Sequence, residues 1–61
     1  MPIVTVKMLE GRTDEQKREL VEKMTEAVTS TTGADAERVS VVIEEMQPQN
    51  FGKAGVRASD Q

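Results

Sequence analysis

This chain of 61 residues contains no cysteine, no histidine, no tryptophan and no tyrosine. Without cysteine there are no disulfides to hold a small fold together, and without cysteine or histidine no structural zinc site is expected. The usual general bases and nucleophiles near pH 7 are missing as well. Phe51 is the single aromatic residue, so a core must come from Val, Ile, Leu, Met and Ala within a hydrophobic content of 36%. A chain this short buries only about 60% of the surface it exposes when unfolded. Self-association is the expected remedy.

Long apolar runs are absent too. The stretch Pro2 to Val6 ends at Lys7, has no basic lead and is too short for a signal peptide, and nothing later approaches a membrane span. The chain therefore reads as a soluble cytoplasmic protein with no membrane partner. A net charge of −3, with eight basic residues scattered along the sequence, argues against nucleic acid, whose partners present clustered Lys and Arg. No repeat or linker divides residues 1–61, which form one domain.

What is present begins with Met1-Pro2. Methionine ahead of a small residue is normally trimmed, and trimming would leave the Pro2 nitrogen as a free secondary amine. An amide is not basic, whereas an amine can act as a general base. In a chain without histidine, Pro2 is the leading candidate for that role.

Ile3 to Leu9 reads as a strand, with Val4, Val6 and Met8 on one face and Ile3, Thr5, Lys7 and Leu9 on the other. Glu10-Gly11-Arg12 is a turn. Thr13-Asp14-Glu15-Gln16 fits a capping box, and Leu20, Val21, Met24, Ala27, Val28 and Thr31 then recur at helical spacing over about five turns. Asp14 with Arg18 and Glu19 with Lys23 are set four apart, and Gly33 closes the helix as a left-handed cap. Val39 to Met46 reads as a second strand, with Val39, Val41 and Ile43 on one face. Strand, helix and strand over this length make a βαβ unit, with parallel strands and a right-handed crossover. Beyond Pro48, the glycine spacing from Asn50 to Val56 suits a hairpin or a folded-back arm, and Ala58 to Gln61 is expected to fray. The fold class is α/β.

Ordinary explanations exist for each of these residues taken singly. Proline after methionine marks an efficiently processed N-terminus, Arg12 suits a solvated turn, Phe51 suits a tail anchor, and Met24 and Met46 suit core filler. Glu44-Glu45 is expected to be half exposed strand and half helix-facing salt bridge.

Taken together, Pro2, Leu9-Glu10-Gly11-Arg12, Thr13-Asp14-Glu15-Gln16-Lys17, Val42-Ile43-Glu44-Glu45-Met46, Phe51-Gly52 and Gly55 are specific in their order and spacing. The chain resembles the 4-oxalocrotonate tautomerase family from Pro2 to about Gly55. That resemblance implies a βαβ protomer assembled into a homohexamer of three dimers, no cofactor and no metal. It implies tautomerisation of 2-hydroxymuconate or a related unsaturated keto or dicarboxylic acid, as in aromatic hydrocarbon catabolism. The family's base falls on Pro2, its carboxylate-binding arginine on Arg12 and its hydrophobic wall on Phe51, with Leu9 beside the substrate. A second family arginine falls on Ser40, a departure that leaves the electrophilic half of the site without its cation. Arg38, two residues earlier on the expected strand, would share a face with Ser40 about 7 Å away and could replace it in part. Two other possibilities stay open on sequence. A protonated Pro2 could serve hydratase, dehalogenase or decarboxylase chemistry, or the fold could be a non-catalytic assembly module.

The expected strand sets a further constraint. At about 3.3 Å per residue, Pro2 and Leu9 lie roughly 23 Å apart, so a site that uses both Pro2 and Arg12 must be shared between chains.

Overall fold

The computed structural model describes all of residues 1–61. Its body is β1 (Ile3–Leu9), α1 (Asp14–Thr32) and β2 (Ser40–Met46), and its tail is a hairpin of β3 (Gly52–Lys53) and β4 (Val56–Arg57). β1 and β2 pair in parallel, from Ile3 opposite Ser40 to Leu9 opposite Met46. The ladder continues past both ends: Ser40 N–H donates to the Pro2 carbonyl at 3.0 Å, and Glu10 N–H donates to the Met46 carbonyl at 2.9 Å. The βαβ unit and the hairpin are both as expected.

Helix α1 starts where its capping chemistry dictates. The Thr13 hydroxyl accepts from Gln16 N–H at 3.1 Å while the Gln16 side chain accepts from Thr13 N–H at 3.0 Å. Both contacts satisfy first-turn donors that the helix itself cannot reach. Gly33 ends the helix at φ 79°, its N–H returning to the Thr29 carbonyl. The half-buried side of α1 holds Lys17, Leu20, Met24 and Val28, with Thr25 and Thr29 beside them. Val21, Ala27 and Thr31 are exposed, so the stripe facing the sheet is narrower than the apolar spacing predicts. Arg18 pairs with Asp14 at 2.9 Å and with Glu15, but Lys23 meets Glu26 at 3.7 Å rather than Glu19. Lys23 therefore has a partner one turn ahead of it instead of one turn behind.

The sheet has two unlike faces. Val4, Val6 and Met8 of β1 lie beside Val41, Ile43 and Glu45 of β2 under the helix, and apart from Glu45 all are half-buried. Glu45 reaches Lys17 at 3.0 Å and is the one carboxylate tying sheet to helix. Its neighbour Glu44 points to the other face, as the half-and-half reading of this pair requires. On that second face Ile3 is 63% exposed and Val42 44%, and no residue anywhere in the single protomer is buried.

Two further expectations are corrected. Strand β2 begins at Ser40, because Ala36–Arg38 forms a 3-10 turn that Val39 closes. Ala58–Asp60 is a further 3-10 turn, held by Arg57 on Asp60 at 3.1 Å and by Ala58 N–H on the Phe51 carbonyl at 2.8 Å, so the tail is folded back rather than frayed. The radius of gyration is 14.4 Å, against about 10.5 Å for a compact chain of this length. The protomer is an elongated piece, not a closed globule.

Loss of the capping box measures how far α1 depends on it. Thr13→Ala should lower stability by about 1 kcal/mol in urea unfolding at fixed protein concentration, since the N-terminal donors then lose their acceptor.

Candidate active site

The ladder that joins the strands also distributes the candidate residues. At one end the Pro2 carbonyl is bonded to Ser40, so Pro2 and Ser40 of one chain are neighbours. At the other end Leu9 and Arg12 line one open depression with Met8, Glu10 and Gly11. A second depression beside it joins Arg12 to Met8, Gln16, Lys17 and Leu20 at the helix start. No depression on the protomer contains Pro2. With β1 running the whole way between them, Pro2 and Arg12 of one chain are not brought together.

The turn that carries Arg12 is pinned on both sides. Glu10 is held to β2 through Met46, and Thr13 is locked by its reciprocal bonds with Gln16. Between these anchors Gly11 takes φ 125°, a conformation open to glycine and strained for other residues. The short path from sheet to helix therefore presents Arg12 at the edge of the body without a flexible lead.

Charge pairing separates Arg12 from most other cations. Lys17, Arg18, Lys23 and Arg57 each have a carboxylate partner within the chain, while Lys7, Arg12, Arg38 and Lys53 have none. An unpaired guanidinium keeps its planar fork of donors available for a carboxylate from outside. Arg38 lies in the 3-10 turn ahead of β2, so the argument that strand alternation puts it on the face of Ser40 does not hold. What remains is its position in sequence, two residues before the partner of Pro2.

Phe51 leads into the hairpin after the 3-10 turn Pro48–Asn50 and is 41% exposed. The hairpin turns through Ala54 and Gly55, both at positive φ (54° and 83°), as a two-residue loop between antiparallel strands demands. The arm thus holds Phe51 and Val56 in the open. No group of acidic side chains is placed to hold a metal ion, and no helix is long and apolar enough to cross a membrane. The Lys7–Glu44 opposition across the strands has no counterpart in the sequence reading, because it depends on a register that only the folded pair reveals.

Comparison with known proteins gives one consistent answer. A family model described as tautomerase enzyme matches residues 2–61. The 2-hydroxymuconate tautomerase of Bacillus subtilis is 67% identical over 60 residues, spanning 98% of this chain and 97% of that protein. The crystal structure of YwhB, a homologue of 4-oxalocrotonate tautomerase, superposes with a TM-score of 0.96 at 65% identity and 98% coverage of both chains. A heterohexamer 4-oxalocrotonate tautomerase from Chloroflexus aurantiacus shares the fold at a TM-score of 0.93 and 28% identity, covering 98% of this chain and 97% of that one.

The conformation of Gly11 offers a direct test of how firmly the Arg12 turn is set. A Cβ there would meet nothing within 4 Å, so the cost of Gly11→Ala is conformational alone. Chemical denaturation should show a loss of about 1–3 kcal/mol; unchanged stability would show that the turn relaxes freely and does not hold Arg12.

Proposed function

The chain belongs to the tautomerase enzyme family, and from that premise we propose that it isomerises 2-hydroxymuconate or a related unsaturated 2-keto acid without a cofactor. Pro2, freed by removal of Met1, takes the proton of the enol hydroxyl. As that O–H bond breaks, the double bonds shift along the chain and the same proton is returned to a distant carbon, so nothing is gained or lost. The work is done in the cytoplasm on a small-molecule acid.

The observation that carries this reading is the separation of Pro2 and Arg12 along one ladder, with Arg12 lacking any partner of its own. A dicarboxylate needs a fixed cation at one end and a base at the other. An antiparallel copy of the chain would bring its own Arg12 turn to this Pro2 and complete such a site. Leu9 then borders the substrate beside Arg12, and Phe51 supplies a dry wall from the hairpin arm. Burial of the amine and nearby guanidinium charge both favour neutral Pro2, as a base requires. Positive charge also stabilises the dienolate that forms in passing. The shared site accords with a homohexamer built as three dimers.

Subunit mixing tests the shared site. Pro2→Ala and Arg12→Ala proteins should each be nearly inactive. Unfolded together and refolded as an equal mixture, they should regain activity in about one site in four, the share that takes its intact Pro2 and intact Arg12 from different chains. No recovery in a mixture that native mass spectrometry shows to be mixed would mean that the site lies within one chain or does not use both residues.

Ser40 leaves one end of the site without the arginine found there in the resembling family, and we place Arg38 as its partial replacement on the strength of its unpaired charge and its place near Pro2. Arg38→Ala should cost about tenfold in kcat/KM for a dicarboxylate, or ~1.4 kcal/mol. Equal turnover of the variant and the unaltered chain would remove Arg38 from the site.

A further inference from the structure

Two adjacent residues at the end of β2 hold both sides of the Arg12 turn. On the sheet side the Met46 carbonyl accepts from Glu10 N–H at 2.9 Å, and on the helix side the Glu45 carboxylate accepts from Lys17 Nζ at 3.0 Å. Gly11, Arg12 and Thr13 lie between these two ties. Lys17 N–H also donates to the Thr13 carbonyl at 3.1 Å, so the ammonium belongs to the helical turn that follows Arg12 directly. Glu45 stands opposite Met8 in the ladder, and Met8, Arg12 and Lys17 border one depression. The other ion pairs join residues three or four apart, with side chains at least 53% exposed. Lys17 and Glu45 join helix to sheet with side chains 30% and 32% exposed, where less water surrounds and screens them.

We propose that Lys17 and Glu45 are positioning residues for Arg12, their ion pair setting where its guanidinium stands, a role that rests on the reading that Arg12 clamps a substrate carboxylate. Neither residue touches the substrate.

The capping box gives the helix start its shape, but its bonds run between Thr13 and Gln16 and so move with the helix. Among hydrogen bonds and ion pairs, only Glu10–Met46 and Lys17–Glu45 tie the turn and the helix start to the sheet. With the first tie alone, the turn is fixed where it leaves β1, and α1 can pivot there on apolar contacts that have no preferred direction. Arg12 lies two residues beyond that point, so a pivot carries it along. A two-point arginine–carboxylate contact needs the planes of both groups aligned, and a displacement of about 1 Å can cost on the order of a hundredfold in rate. Pro2 lies at the opposite end of β1 and is not moved by such a pivot. Loss of the pair therefore displaces the clamp and leaves the base in place.

Comparison of two substrates separates positioning from general support of the fold. On 2-hydroxymuconate, Lys17→Met and Glu45→Gln should each lose about tenfold in kcat/KM, chiefly through KM. On the analogue with hydrogen in place of the carboxylate remote from the enol hydroxyl, each should change by less than about twofold, because Arg12 then has nothing to hold. A chain carrying both Lys17→Glu and Glu45→Lys restores the pair in reverse and should regain most of the activity on the dicarboxylate. Unchanged turnover of 2-hydroxymuconate by both single variants overturns the proposal. An equal loss on both acids, or loss of the assembled state in native mass spectrometry, also overturns it, because the pair then supports the fold as a whole. So does a reversed pair that assembles but recovers nothing. Arg12→Ala on the same two acids tells these failures from failure of the clamp. If it leaves 2-hydroxymuconate turnover intact, clamp and positioning fall together; if it abolishes that turnover while Lys17→Met does not reduce it, only the positioning falls.

Discussion

Parallel pairing of β1 with β2 is the constraint on which the remaining structure depends. Two parallel strands cannot be joined by a tight turn, so the chain must cross over, and α1 is that crossover. The same pairing gives the sheet one face under the helix and one in the open. The ladder runs from the Pro2 carbonyl to Glu10 N–H, so Pro2 and the Arg12 turn lie at its opposite ends. The separation of base and clamp follows from the length of β1, which stands between Pro2 and Arg12 in one chain.

Within the protomer, most charge pairing is local and weakly stabilising. Arg18 with Asp14 and Glu15, Lys23 with Glu26, and Arg57 with Asp60 all lie three or four residues apart on exposed surface. Such pairs contribute about 0–1 kcal/mol each, less in salt. Lys17–Glu45 differs in linking residues 28 apart in sequence with both side chains about one-third exposed. It anchors the first turn of α1 to the end of β2, the region in which the Arg12 turn leaves the sheet. Apolar burial against the helix does the rest, through Val4, Val6, Val41 and Ile43 facing Leu20, Met24 and Val28.

Local chemistry was legible in the sequence, and long-range placement was legible only in part. The Thr13–Gln16 capping box and the Gly33 cap follow from a few adjacent residues, and both are formed as their chemistry requires. Alternation in Ile3–Leu9 identified the helix-facing side of β1 correctly, because period two is a property of the backbone itself. Periodicity in α1 was less exact: Val21, Ala27 and Thr31 fit the spacing but are exposed, since two strands cover only a narrow strip of helix. Arg38 was misplaced because Val39 suits a strand, whereas the 3-10 turn before it answers to backbone bonds from Arg38 to Asp35 and from Val39 to Ala36. The Lys7–Glu44 opposition depends on interstrand register, which one sequence does not display.

The missing core and the divided site have the same origin. A chain whose every residue is at least partly exposed gains its interior only by covering the open sheet face and the hairpin arm with other copies. In the antiparallel arrangement proposed for the site, contacts between copies also bring Arg12 of one chain to Pro2 of another, so that folding, assembly and catalysis become one concentration-dependent equilibrium. A stable monomeric intermediate would have neither a dry interior nor a complete site. The register of that contact matters to the chemistry: a shift of one residue between copies moves the Arg12 turn by about 3.3 Å, far beyond the tolerance of a hydrogen-bonded carboxylate.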